Sequence, residues 1–166
     1  MVRVRGVGGL VSLLLLAAWP AAAQSPADQV ERGRYLATIM DCGGCHTGGA
    51  LTGKPDPNRH LAGSEVGFGI PGAGVFYPKN LTPDPETGLG KWSTDEIITA
   101  IRRGVRPDGR NLFPIMPWPA YAIMTDGDVQ ALVAYLKSLP PIRFQAPSNA
   151  GPNEKAPAPY MTVVAP

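Results

Sequence analysis

The residues best equipped for chemistry lie in one pentapeptide, Cys42-Gly43-Gly44-Cys45-His46. C-x-x-C-H is the spacing at which a polypeptide takes up c-type haem. The two vinyl groups of a haem lie on one side of the macrocycle. Two cysteines three apart on one helical turn bring both thiols to them and form two thioethers. The adjacent histidine then presents its imidazole to the iron as the proximal axial ligand. Gly43 and Gly44 put no side chain between the cysteines, so the backbone is free to lie against the porphyrin edge. Three other uses of such cysteines compete. A thioredoxin-type dithiol belongs beside a βαβ pattern, which the chain lacks. A structural zinc site usually needs four Cys or His ligands, and the chain holds these two cysteines with only His46 and His60. A disulfide across a two-residue gap closes a very small loop and adds little through chain entropy.

An iron held at His46 needs a sixth ligand or has an open face. The methionines are Met1, Met40, Met116, Met124 and Met161. Met40 is almost beside the attachment motif, and Met161 falls near the C-terminus. Met116 sits in Phe113-Pro114-Ile115-Met116-Pro117-Trp118-Pro119. Three prolines fix φ through that loop and make it stiff, as the holding of a weak thioether ligand requires. It is the first candidate for the distal position. Met124 is expected to pack as a hydrophobic staple ahead of the helix that follows it. His60 would give bis-histidine ligation, or else be solvated.

The elements that must position these groups are mostly helical. A first helix is expected over residues 26–42, with Pro26 in its first turn, Asp28 and Glu31 near its positive end, and Val30, Leu36, Ile39 and Met40 as apolar surface. Gly33 lowers helix propensity there and implies close approach by another helix. A second helix starts at Ser93, where Ser93-x-x-Glu96 is a capping box, buries Ile97, Ile98 and Ile101, and stops at Gly104. A third starts at Thr125 with the stripe Val129, Leu132, Val133, Leu136 and ends before Pro140. Residues 47–91 have no helical period. So long a loop would count against a compact domain, unless an apolar macrocycle is the core it wraps. Asn80-Leu81-Thr82-Pro83-Asp84 has strong turn chemistry. With 19 prolines and 20 glycines, no long sheet is expected.

The two ends differ from the middle. Arg3 and Arg5, the apolar run from Leu10 to Trp19, and Ala21-Ala22-Ala23 read as a signal peptide over 1–23, cleaved before Gln24. The apolar run is shorter than the ~20 residues a spanning helix needs, so no transmembrane segment is expected after cleavage, and a periplasmic location follows. Cleavage leaves 143 residues with 13 basic against 13 acidic side chains. That balance, without a basic tract, excludes nucleic acid as a partner. A domain over 24–140 is expected, followed by an extended, partly mobile Pro/Ala-rich tail over 141–166.

Cys42-x-x-Cys45-His46, the Met116-Pro117 loop and the closing helix with Leu132-Val133-Ala134-Tyr135-Leu136-Lys137 together resemble class I cytochrome c. More narrowly, Asn80-Leu81-Thr82-Pro83-Asp84, Thr87-Gly88-Leu89-Gly90-Lys91-Trp92-Ser93 and Met116-Pro117-Trp118-Pro119-x-Tyr121 are similar to the cytochrome modules of bacterial alcohol and gluconate dehydrogenases. Those subunits carry several modules in tandem, and this chain has one C-x-x-C-H. The resemblance covers about Ala27 to Pro140. It implies a mostly α cytochrome c fold, about three main helices and long loops around one covalent haem c, with Gly33 packed on the last helix near Tyr135.

Two further features have double readings. The Trp92 indole N–H seeks an acceptor when buried, either a haem propionate or a group of the core. Arg102, Arg103, Arg106 and Arg110 either favour a helix dipole, bind propionates or attract an acidic redox partner. The expected function is that of a periplasmic monohaem cytochrome carrying single electrons, without a catalytic constellation of its own. Its partners would be a dehydrogenase, an oxidase or another cytochrome. The alternatives are the electron-accepting subunit of a periplasmic dehydrogenase complex, and a ligand-binding haem protein with open iron.

Overall fold

A computed structural model describes residues 25–164; the signal-peptide expectation lies outside the described residues. Helix α1 runs Pro26–Ile39. The Ser25 hydroxyl accepts from the Asp28 N–H, and the Asp28 carboxylate accepts from the Ser25 N–H, a reciprocal cap that satisfies two orphan donors. The helix ends three residues earlier than its apolar pattern suggested. Met40 closes it, and Asp41 turns into the left-handed region at φ 52, which breaks the ladder before the cysteines. Ile39, expected to be buried, is exposed, while Val30 and Met40 pack against the core. The attachment pentapeptide then forms its own short helix, α2, Cys42–His46.

Residues 47–91 are irregular as expected, apart from two 3-10 turns, Ala50–Thr52 and Pro57–Arg59, and a β-hairpin of β1, Gly67–Ile70, and β2, Gly74–Phe76. Helix α3, Thr94–Arg103, carries the Ser93/Glu96 capping box and ends at Gly104 in the left-handed region (φ 66), where glycine bears no Cβ penalty. Ile97 and Ile101 are buried and Ile98 partly so. A short helix α4, Trp118–Tyr121, precedes α5, Asp126–Ser138, which is capped by Thr125. Val129, Leu132, Val133 and Leu136 are all buried, and each such side chain contributes about 1.5–3 kcal/mol. Met124 packs on the cluster that contains Val129, the staple arrangement.

Helices α1 and α5 cross at Gly33. A Cβ there would stand 2.0 Å from the Ala131 carbonyl oxygen and 2.6 Å from the Tyr135 Cβ, so only glycine admits this approach. Arg32 pairs with Asp128 at 2.9 Å across the same crossing.

The C-terminal segment is extended, and it is also fastened to the domain. Val75 and Ala150 exchange backbone hydrogen bonds at 2.8 and 3.0 Å. The Tyr77 hydroxyl donates to the Ala158 carbonyl at 2.6 Å. Strand β3, Tyr160–Thr162, adds parallel to β1, giving the sheet order β2-β1-β3. That small sheet has no counterpart in the sequence expectations, because two of its strands have only three residues and the third is rich in glycine.

Candidate functional site

The two cysteines lie on the single turn α2, both as free thiols and both half-buried. Burial pushes the Cys42 thiol up to about 11, and burial then the Asp41 carboxylate raise Cys45. Burial thus favours the protonated, apolar form of both thiols. Asp41 caps the turn, its carboxylate accepting from the Gly44 N–H at 3.1 Å. A Cβ at Gly44 would sit 2.3 Å from that carboxylate, whereas at Gly43 the nearest group would be the Thr47 hydroxyl at 3.5 Å. Gly44 is thus required by the Asp41 cap, a reason that differs from the porphyrin-edge one.

His46 is oriented by backbone from two other loops. Its Nδ1–H donates to the Lys79 carbonyl at 2.7 Å, since a carbonyl can only accept. Its own carbonyl accepts from the Gly63 N–H at 2.7 Å. The Nδ1 bond fixes the tautomer and leaves Nε2 as the free, basic nitrogen. Burial lowers the pKa of the ring, opposed in part by the Lys79 carbonyl, so the imidazole is neutral, the form that binds a metal.

The Met116 loop is anchored at both ends. Gly104 and Leu112 are joined by a 2.6 Å backbone bond, and Val105 bridges Asn111. The Trp118 ring lies on Gly104, and its Nε1–H donates to the Leu112 carbonyl at 3.3 Å. The Met116 N–H donates to the Phe113 carbonyl at 3.1 Å, and the Met116 carbonyl accepts from Trp118 at 2.7 Å. Past it, the Tyr121 hydroxyl donates to the Met40 carbonyl at 3.3 Å. Burial, then Cys42, Cys45 and Asp41, push Tyr121 up to about 12. Helix α4, which follows the methionine loop, is thereby tied to the end of α1 just before the attachment turn.

His60 lies beside the attachment turn, its Cε1 3.8 Å from where a Cβ on Gly43 would stand, with its Nε2 engaged by the Tyr135 hydroxyl at 3.1 Å. Trp92 is partly buried against the core, with the Arg106 guanidinium 5.5 Å above its ring. The four arginines do not form one patch. Arg102 binds Asp126 at 2.7 Å and the Met124 carbonyl. Arg110 binds Asp108 at 2.7 Å, and Arg106 stands 3.4 Å from the same carboxylate. Arg103 is exposed.

These residues fit a covalently attached haem. The donor set is two thiols on one turn and one neutral imidazole with Nε2 free. Arg106 Nε is buried and makes no hydrogen bond of good geometry among the described residues, its nearest acceptor being the Asp108 carboxylate at 3.4 Å. Burial, then the charges of Arg106 and Arg110, bring the Lys79 amine down to about 8. Cations crowded beside the His46 support are what haem propionates would neutralise.

Lys79 and Tyr121 had no role in the sequence reading. Lys79 acts through its carbonyl, which any residue carries, and Tyr121 is visible only as part of the Met116-Pro117-Trp118-Pro119-x-Tyr121 pattern. Among the described residues no helix is long and apolar enough to cross a membrane.

Comparison with known proteins agrees with the geometry. The family model described as cytochrome c matches residues 30–140. The chain is 41% identical over 130 residues to one of the subunits of the nicotinate dehydrogenase of Pseudomonas putida, covering 78% of this chain and 10% of that protein. It is 36% identical over 135 residues to the cytochrome c subunit of the quinone alcohol dehydrogenase of Gluconobacter oxydans, covering 80% and 26%. To the cytochrome c subunit of the gluconate 2-dehydrogenase of Pantoea cypripedii it is 42% identical over 109 residues, covering 64% and 22%. The chain thus spans at most about a quarter of the length of these relatives.

Proposed function

Because the chain belongs to the cytochrome c family, whose members carry covalent haem c and transfer electrons, we propose that it is the electron-accepting cytochrome subunit of a periplasmic dehydrogenase complex. The single observation that supports this is that its relatives are subunits named for nicotinate, alcohol and gluconate dehydrogenases. A free carrier, the first expectation from the sequence, has no comparable support.

In this reading Cys42 and Cys45 would hold the haem through thioethers, and His46 Nε2 and the Met116 sulfur would be the iron ligands. Haem c, when bound, supplies one reversible one-electron site, and His/Met ligation raises its potential. The remaining work belongs to the chain. The Lys79 carbonyl holds the His46 proton on Nδ1. The Trp118 and Tyr121 anchors keep the methionine loop from drifting. Arg106, stacked over Trp92, and the neighbouring Lys79 would be available to haem propionates, and their positive charge would stabilise the reduced state. If His46 and Met116 both ligate, the iron would have no open position for a substrate or a gas, as the role of electron transfer requires.

Native purification of the full chain from its own cells tests the proposal. The expected result is co-purification with a dehydrogenase whose substrate, added alone, reduces the cytochrome. Recovery as a monomer reduced only by other cytochromes would favour the free carrier instead.

A further inference from the structure

The polar contacts of residues 142–149 converge on one stretch of loop, residues 77–87. The Tyr77 N–H donates to Asn149 Oδ1 at 3.0 Å. The Lys79 ammonium donates to the Pro147 carbonyl. Asn80 Nδ2 donates to the Ile142 carbonyl at 2.7 Å, and the Ile142 N–H donates to Thr82 Oγ1 at 3.1 Å. The Phe144 N–H donates to Thr87 Oγ1 at 3.1 Å, which also accepts from Asn80 Nδ2 at 3.0 Å. Asn80 and Thr82 are 2% and 1% exposed, so these bonds compete little with water.

Within that stretch is the carbonyl that receives the His46 Nδ1–H at 2.7 Å. The segment contacts the chain two residues before Lys79, at Lys79, one residue after it and three after it. From the domain side the same stretch is held by Leu81 on Leu61 at 2.8 Å and by Ser64 on Pro78 at 3.1 Å. The carbonyl is therefore clamped from both directions. We infer that residues 142–149 form a strap that positions the Lys79 carbonyl on His46 and so sets the basicity of the proximal ligand. This rests on His46 as the iron ligand, as proposed above. A ring N–H that donates strongly makes the opposite nitrogen more basic and favours oxidised iron. Loosening the strap lengthens the bond, frees the ring proton to exchange and raises the reduction potential.

The test compares the full-length haem-loaded protein with Asn149→Ala, which removes one strap anchor, and Thr87→Val, which removes the Phe144 anchor together with the Asn80 and Asp84 bonds of the same hydroxyl; neither changes formal charge near the iron. Asn149 is exposed, so its replacement is tolerated by the fold. Val133→Ala, buried in α5 and not in the strap, is the control for general destabilisation. The ring N–H of His46 is followed by NMR, with the potential measured on the same samples. Expected is exchange about fivefold to tenfold faster in both strap variants, as for loss of a net ~1 kcal/mol hydrogen bond, and a potential shifted upward. The Val133→Ala protein should keep wild-type values of both. Wild-type exchange and potential in both strap variants, or equal changes in Val133→Ala, would overturn the inference. An iron-shifted His46 signal in the wild type is recorded first; its absence would refute the ligand assignment itself, independently of the strap.

Discussion

Gly33 in α1 meets the Ala131 carbonyl in α5 so closely that an added Cβ would come within 2.0 Å of the oxygen. The obstacle is backbone, which cannot rotate aside as a side chain can. Gly33→Ala should therefore destabilise the haem-loaded protein by about 1–3 kcal/mol, or more if the helices cannot part, even though alanine is the better helix former. Denaturant melts measure this. A neutral or stabilising effect would mean that the two helices are not in contact at this point.

Met116 and Met124 make opposite predictions. Met116→Ala should abolish the thioether-to-iron absorption band of the oxidised protein, lower the potential and admit carbon monoxide or cyanide. Met124→Ala should keep the band and cost about 1–2 kcal/mol, less than a fully buried methionine because the side chain is only partly covered. Visible spectra of the two variants separate them. The reverse pattern would place the distal ligand at Met124.

Asp84 gives a pH prediction with a definite sign. The Thr87 hydroxyl at 2.8 Å, the backbone N–H groups of Thr87 and Glu86, and the charge of Arg143 hold its carboxyl below the usual 3.8, against the opposing effect of burial. The unfolded chain therefore binds the proton more tightly than the folded one. The resulting stability is fully present above about pH 4 and is lost as pH falls through the folded value. Stability measured from pH 6 down to 2 should fall less steeply in Asp84→Asn than in the wild type, since the amide has no charge to lose.

The arginines divide by environment. Arg106 lies over Trp92 with a buried Nε, so Arg106→Glu should shift the potential and destabilise the fold. Arg103 and Arg110 are exposed. If they meet an acidic partner, reversing both to glutamate should slow electron exchange up to about tenfold at low salt, with the loss shrinking as the ~10 Å screening length at 0.1 M shortens. Stopped-flow rates against ionic strength measure this, and rates insensitive to both salt and mutation place docking elsewhere.

How much of this was legible in the chain differs residue by residue. The attachment pentapeptide was readable because its spacing answers to covalent chemistry. Helices α3 and α5 were readable because caps and 3.6-residue periodicity are local signals. The early end of α1 was not, since it depends on Asp41 entering the left-handed region at φ 52, which aspartate tolerates without demanding it. The docking of the C-terminal segment was equally hidden. It rests on Asn80, Thr82, Thr87 and Asn149 finding backbone groups far away in sequence, and such pairings leave no periodic trace. Lys79 could not have been singled out at all, because the group that supports His46 is a main-chain oxygen.

The central claim is that Cys42 and Cys45 carry the haem as thioethers. It is tested most directly by denaturing the purified protein and measuring where the haem goes. Thioethers survive unfolding and axial ligation does not, so the haem should remain on the polypeptide, and replacing both cysteines with alanine should release it. Haem extracted from the wild-type chain by acidified organic solvent would contradict the account.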